Sequence, residues 1–77
     1  MSIYQRLRDL REDADKSQEE IAKVIGTSQS YYAQYENGKR AIPFERMIIL
    51  AEYYNVSLDY FAGFIDTPKK EPSQIFI

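Results

Sequence analysis

The sequence predicts an all-α fold built from five short helices. Three observations carry that expectation. Apolar residues recur at helical spacing in five separate segments. Serine or proline opens four of these segments and glycine follows three. No run longer than a few residues reads as a strand. A chain of 77 residues, 44% hydrophobic and 29% charged, allows one domain with a small core.

The first helix is expected over about Ile3 to Ala14, with Ile3, Leu7, Leu10, Arg11 and Ala14 on one stripe and Arg6, Arg8, Asp9 and Glu12 off it. Arg11 on an apolar stripe reads either as a side chain snorkelling at the core edge or as half of a buried ion pair. Asp15 and Lys16 form a short link. Ser17-Gln-Glu-Glu20 is a capping box that starts a second helix running to about Ile25, with Ile21, Ala22 and Ile25 inward. Ala22 is small enough to let a neighbouring helix approach closely. Gly26 is expected to end this helix in the left-handed conformation. Thr27 and Ser28 are both able to cap the third helix, and Ser28 is the better placed. At about 100° per residue, Tyr32, Tyr35 and Glu36 share its inner side. Ser30, Ala33, Gln34 and Asn37 share the opposite side, with Gln29 and Tyr31 on the flanks. Asn37-Gly38 stops the helix. Pro43 suits the first turn of a fourth helix to Tyr54, with Met47, Leu50, Ala51 and Tyr54 inward and Ile49 and Tyr53 nearly opposite. Ser57 caps a short fifth helix ending near Gly63, and Tyr60 or Phe61 closes the core. Residues 1–65 thus form the domain, and residues 66–77 read as a flexible polar tail that ends in Ile75-Phe76-Ile77.

Gln18 to Gly38 is the centre of the chain: two short helices, a tight turn, and a second helix with one core face and one polar face. That is the pattern of a helix-turn-helix, whose polar partner is the major groove of double-stranded DNA. The charge balance runs the other way, since ten Lys+Arg against twelve Asp+Glu leave a net charge of -2. The local distribution at the contact surface weighs more than the sum.

Ser17-Gln18-Glu19-Glu20-Ile21-Ala22, Gly26-Thr27-Ser28-Gln29-Ser30, Tyr35-Glu36-Asn37-Gly38-Lys39-Arg40, Leu50-Ala51 and Val56-Ser57-Leu58-Asp59-Tyr60-Phe61 occur in order and at matching spacing. Together they resemble the Cro/cI-type, or XRE-like, helix-turn-helix repressors over about Ile3 to Ile65. The resemblance implies a compact lambda-repressor-like bundle of five helices, with the third as recognition helix. It implies a transcriptional regulator, a repressor that binds a palindromic operator as a homodimer. Carried over by position, Gln18 touches a phosphate, Ser28 opens the recognition helix, and Gln29, Ser30 and Gln34 face base edges. Asn37, Lys39 and Arg40 hold the DNA backbone. Arg11 and Glu36 match a family salt bridge between the first and third helices. Where the family often has glycine then leucine before the Ser-Gln motif, this chain has Asp15 and Lys16, so a different turn is expected there. The third helix is also rich in tyrosine.

The chemistry of the residues is consistent with that reading. A glutamine amide sets a donor beside an acceptor, which matches N6 and N7 of adenine. Any single exposed glutamine is otherwise a solvated helix surface. Tyr31 is expected to bond a phosphate or pack on a thymine methyl; its plain alternative is a half-buried rim residue. Lys39-Arg40 follows the recognition helix, where a phosphate backbone would pass, and Arg46 is a lesser candidate. Ile49, Tyr53, Leu58, Phe64 and Ile65 are candidates for a dimer patch, against the plain alternative of scattered surface apolar residues. Half-sites about 34 Å apart are the usual solution for such modules.

Other classes are less well supported. Without cysteine or histidine, disulfides, thiolate ligands and the commonest general base are absent. Glu19-Glu20 and Asp13/Asp15 read as solvated faces, so no enzyme activity, metal, cofactor or small-molecule ligand is expected. No stretch is long and apolar enough for a membrane span, and the N-terminus is no signal peptide, so a cytoplasmic location is expected. The main rival is a protein-interaction module on the same fold, antitoxin-like or adaptor. The acidic balance, the Ile49/Tyr53 face and the Ile75-Phe76-Ile77 end speak for it.

Overall fold

A computed structural model describes residues 3–64 of the chain. Ile65, the expected tail and the Ile75-Phe76-Ile77 end lie outside the described residues. Five helices follow in order: α1 (Ile3–Asp13), α2 (Gln18–Val24), α3 (Gln29–Glu36), α4 (Phe44–Tyr54) and α5 (Leu58–Ala62). α1 packs on both α3 and α5, α2 packs on α3, and α4 packs on α5.

The helix starts follow from serine chemistry. Ser17 accepts from the Glu20 amide at 3.1 Å, and Glu20 Oε1 accepts from the Ser17 amide at 2.8 Å. This capping box satisfies two amides that α2 cannot bond internally. Ser28, not Thr27, caps α3 by accepting from the Tyr31 amide at 3.2 Å. Ser57 does the same for α5 through the Tyr60 amide at 3.0 Å. Pro43 occupies the N-cap of α4 with an extended backbone, so the helix begins one residue later than expected, at Phe44.

The turns on either side of α2 need backbone that most side chains resist. Gly26 (φ +76°) lets the chain reverse between α2 and α3. At the link between α1 and α2, Asp15 itself takes a left-handed φ of 59°. The turn is therefore closed by an aspartate in the conformation that glycine adopts at lower cost. The Lys16 amide donates to Arg11 O at 3.1 Å and completes that turn.

Leu7, Ile21, Tyr32, Tyr35, Leu50 and Phe61 are buried to within 1% exposure and form the centre of the core. Fully burying one such apolar side chain stabilises the fold by about 1.5–3 kcal/mol. Ala22 is also buried, where α2 packs against α3. Met47 and Tyr54 pack on this core from α4, and Phe61 rather than half-buried Tyr60 closes it.

Three expectations need correction. Arg6, expected off the α1 stripe, is buried, and Ala14, expected on it, is exposed. The reason is that α1 lies against two helices, so its buried sector widens on the α5 side. There Arg6 Nη1 donates to Tyr60 O at 3.0 Å, and its guanidinium lies 3.8 Å over the Tyr60 ring. α1 also ends at Asp13, before Ala14. Leu58, expected on an outer patch, is half-buried against the core, because the first turn of α5 folds inward. Ile49 and Tyr53 do face outward, as do Phe44, Ile48 and Phe64. No described helix is long and apolar enough to cross a membrane.

Candidate nucleic-acid interface

The inner side of α3 carries a buried ion cluster. Glu36 accepts from Arg11 Nε at 2.7 Å and from Arg11 Nη2 at 3.1 Å. Its side chain is 0% exposed and that of Arg11 is 13% exposed, so the carboxylate is fully buried and the largely covered guanidinium closes it off from solvent. Tyr32, four residues earlier on the same helix, donates its hydroxyl to Glu36 Oε2 at 2.6 Å. Arg11 Nη1 also donates to Lys16 O at 2.9 Å, which ties the α1–α2 turn to the same guanidinium. Arg8 lies 3.7 Å from Glu36 Oε1 from a half-exposed position.

The electrostatics follow from these contacts. Burial alone would push the Glu36 carboxyl up. The hydrogen bonds from Arg11, Tyr32 and Gln18 outweigh it and hold the group below its ordinary range. The Arg11 guanidinium is held even more firmly charged by its bond to Glu36. The Tyr32 phenol is pushed far up, first by burial and then by its bond to the carboxylate. Glu36 thus contributes no free negative charge to the outer surface of α3.

The outer side holds two connected groups. In the first, Gln18 Nε2 donates to Glu36 Oε1 at 3.1 Å, and Gln29 Nε2 donates to Gln18 Oε1 at 2.6 Å. Gln29 is exposed at the first turn of α3, and Ser30 is exposed beside it. Ser28 and Ser30 hydroxyls lie 3.5 Å apart, with the Ser28 oxygen already engaged in capping. In the second group, Arg40 Nε donates to Gln34 Oε1 at 3.2 Å, and its guanidinium lies 4.7 Å over the Tyr31 ring. Tyr31 is half-buried and stacks edge-on against Tyr35 at 5.7 Å. Arg46 Nη1 donates to the Tyr35 hydroxyl at 2.8 Å and lies 6.0 Å from the Tyr31 ring. Asn37, Lys39 and Arg40 are exposed after α3. Gly38 (φ +75°) turns the chain there, and a Cβ on it would lie 3.4 Å from the Tyr4 ring.

The structure therefore brings Gln18 to Gln29 and Gln34 to Arg40. Three features go beyond what the sequence predicts. The Tyr32–Glu36 bond had a visible signal in its four-residue spacing. Arg8 had one in its three-residue spacing from Arg11. The Gln18–Gln29 bond joins two helices and had none. Arg46, a lesser candidate in the sequence, proves to be part of the tyrosine cluster.

Comparison with known proteins places this geometry. The helix-turn-helix family matches residues 7–61. The uncharacterized HTH-type transcriptional regulator YobD of Bacillus subtilis is 41% identical over 64 residues, covering 83% of this chain and 57% of that protein. The cryptic phage CTXphi transcriptional repressor RstR of Vibrio cholerae is 38% identical over 53 residues, covering 69% of this chain and 48% of that protein. The chain thus spans about half the length of these relatives. Among solved structures, the P22 c2 repressor in complex with synthetic operator 9T superposes with a TM-score of 0.74 at 22% identity, covering 82% of this chain and 96% of that one. That likeness shows a shared repressor-type fold.

Proposed function

The chain belongs to the helix-turn-helix family, in its Cro/cI-type (XRE-like) group, and from that premise we propose that it is a sequence-specific DNA-binding transcriptional repressor. The observation that carries the reading is the outer side of α3. Gln29, Ser30 and Gln34 lie on it, and a cationic aromatic cluster of Arg40, Tyr31 and Arg46 flanks it. In this reading α3 enters the major groove, where the amides read base edges and Ser28, Ser30 and Tyr31 contact the strand at the groove wall. Gln18, Asn37, Lys39 and Arg40 hold phosphates on either side. The negative net charge is compatible with this, because Glu36 is turned inward to Arg11 and the charges beside the outer side of α3 are those of Lys39, Arg40 and Arg46.

A palindromic operator and a homodimer complete the proposal. Ile49, Tyr53 and Phe64 are exposed at 41%, 43% and 81% and offer the apolar surface that a second copy would cover. The same Ile49/Tyr53 surface is what an adaptor or antitoxin-like module would use, but that rival gives no role to the amides of α3.

The test is selection from random DNA followed by shift assays. The protein should enrich one sequence with two-fold symmetry, and Q29A and Q34A should each weaken binding to it about 5- to 150-fold, the equivalent of about 1–3 kcal/mol. Affinity should fall with salt at a slope of about -0.9 per phosphate neutralised. Enrichment of no sequence, or a Kd indifferent to salt, refutes the function. Enrichment of a single asymmetric half-site by a monomer refutes the dimer alone.

A further inference from the structure

We propose that Arg40 is a specificity-determining positioning residue: bonded to Gln34 and laid over Tyr31, it holds the carbonyl of the Gln34 amide towards the loop, so that Gln34 offers the bases its NH2 end alone and selects guanine against adenine. The proposal rests on the DNA-reading function above and gives Arg40 a role besides its phosphate contact.

The loop after α3 folds back onto Gln34 through its backbone and through one side chain. The Lys39 and Arg40 amides donate to Gln34 O at 3.0 Å and 3.3 Å, which fixes where the Arg40 side chain starts. Arg40 Nε then donates to Gln34 Oε1 at 3.2 Å, and the guanidinium lies 4.7 Å over the Tyr31 ring. Tyr31 is half-buried and is held in turn. Its ring meets Tyr35 edge-on at 5.7 Å, and the Tyr35 hydroxyl accepts from Arg46 Nη1 at 2.8 Å. A planar guanidinium stacked on a fixed ring resists displacement. A guanidinium also has donors and no acceptor, so the end of Gln34 that meets it has to be the carbonyl. The NH2 end of the amide then points the other way, off the loop.

What Gln34 presents is two N–H groups on one nitrogen. In the major groove guanine offers two acceptors side by side, N7 and O6, and both can be met from that end. Adenine places its N6 amino group where guanine has O6. There a donor would face a donor, and the Gln34 oxygen that would answer it is engaged by Arg40. An amide free to rotate would turn its oxygen to adenine and serve either base. Gln34 thus departs from the adenine match that a glutamine side chain suggests by itself. The bond uses Nε alone, so the Nη nitrogens of Arg40 are left for a phosphate at the edge of the groove.

R40A releases the Gln34 amide while leaving the buried side of α3 in place. On the selected operator, the guanine-to-adenine affinity ratio at the position whose preference is lost in Q34A should be on the order of tenfold in the wild type and close to one in R40A. Loss of the Arg40 phosphate contact lowers both affinities alike, so the ratio is the readout. In ¹H–¹⁵N spectra of the free protein, the Arg40 Nε proton should be protected from exchange in the wild type and lose that protection in Q34A. A guanine preference that survives in R40A, a wild-type preference for adenine at that position, a Q34A that loses no base preference, or an Arg40 Nε proton as accessible in the wild type as in Q34A overturns this proposal alone. A wild type that enriches no sequence overturns the DNA-reading premise and this proposal with it, whatever the spectra show.

Discussion

Arg11→Ala would leave a buried carboxylate without its counter-charge, and the structure sets the size of the effect. The Glu36 side chain is 0% exposed and that of Arg11 is 13% exposed. An exposed pair of this kind is worth under about 1 kcal/mol, whereas breaking a buried one costs about 3–5 kcal/mol. Arg11 also holds Lys16 O at 2.9 Å, which adds to the loss. The Tyr32 and Gln18 donors remain, and Arg8 at 3.7 Å offers partial replacement. These place the expected cost near the lower bound, about 3 kcal/mol. A domain of about 65 residues has a total stability of roughly 3–10 kcal/mol, so this is a large share. At about 4–8 °C per kcal/mol, the melting midpoint should fall by roughly 12–24 °C.

The pH dependence gives a second, independent signature. In the native protein Glu36 lies below its ordinary value of 4.5. A depressed carboxylate contributes stability that is complete above that value and is lost as pH falls through the lower folded pKa. In R11A burial is opposed by fewer donors, and the folded pKa should rise above the ordinary value. The sign then inverts: the variant is least stable at neutral pH and recovers as Glu36 takes up a proton. The gap between wild type and R11A should therefore be widest at pH 7 and narrow towards pH 4. Urea melts of both proteins at the two pH values measure it. Wild-type-like melting of R11A, or a gap that is constant with pH, would refute the buried-charge reasoning.

Two further substitutions probe the backbone and the core. D15G should raise the melting midpoint by a few degrees, because Asp15 holds a left-handed φ of 59° that glycine adopts without steric cost; a net gain of about 0.5–1 kcal/mol is expected by thermal melt, and an unchanged or lower midpoint would count against strain at this turn. Y54F should be neutral or stabilising by up to about 1 kcal/mol in denaturant melts, since the Tyr54 hydroxyl is buried and bonds to no described group; a loss of stability would show that the hydroxyl has a partner in solution.

The sequence made the helix starts legible because they are local. Ser17 and Glu20 are three residues apart, and one capping box decides both where α2 begins and how it is aimed. The inner side of α3 was legible for a similar reason, since an angular count is enough to group Tyr32, Tyr35 and Glu36. Arg6 was not legible, because its burial depends on α5, which the chain reaches 54 residues later. The partner of Arg11 came from resemblance to a family, not from spacing. For the candidate interface, the types of residue were readable and their connections were not. Gln18 and Gln29 are eleven residues apart on different helices, and only the fold shows that they share a hydrogen bond. The turn at Asp15 shows a different limit: its composition departs from the family pattern, yet its backbone takes the left-handed form that glycine would supply there.

The contact between Arg6 and Tyr60 also determines how the domain comes apart. α5 has five residues, too few to persist as a helix outside the bundle. Its register depends on a guanidinium from α1 that bonds the Tyr60 carbonyl and covers the Tyr60 ring. Loosening of the first helix therefore removes one of the two helices that support the last, the other being α4, and α5 has no separate stability on which to wait. The early and late ends of the described chain thus meet in one contact, and the domain opens cooperatively when it is lost.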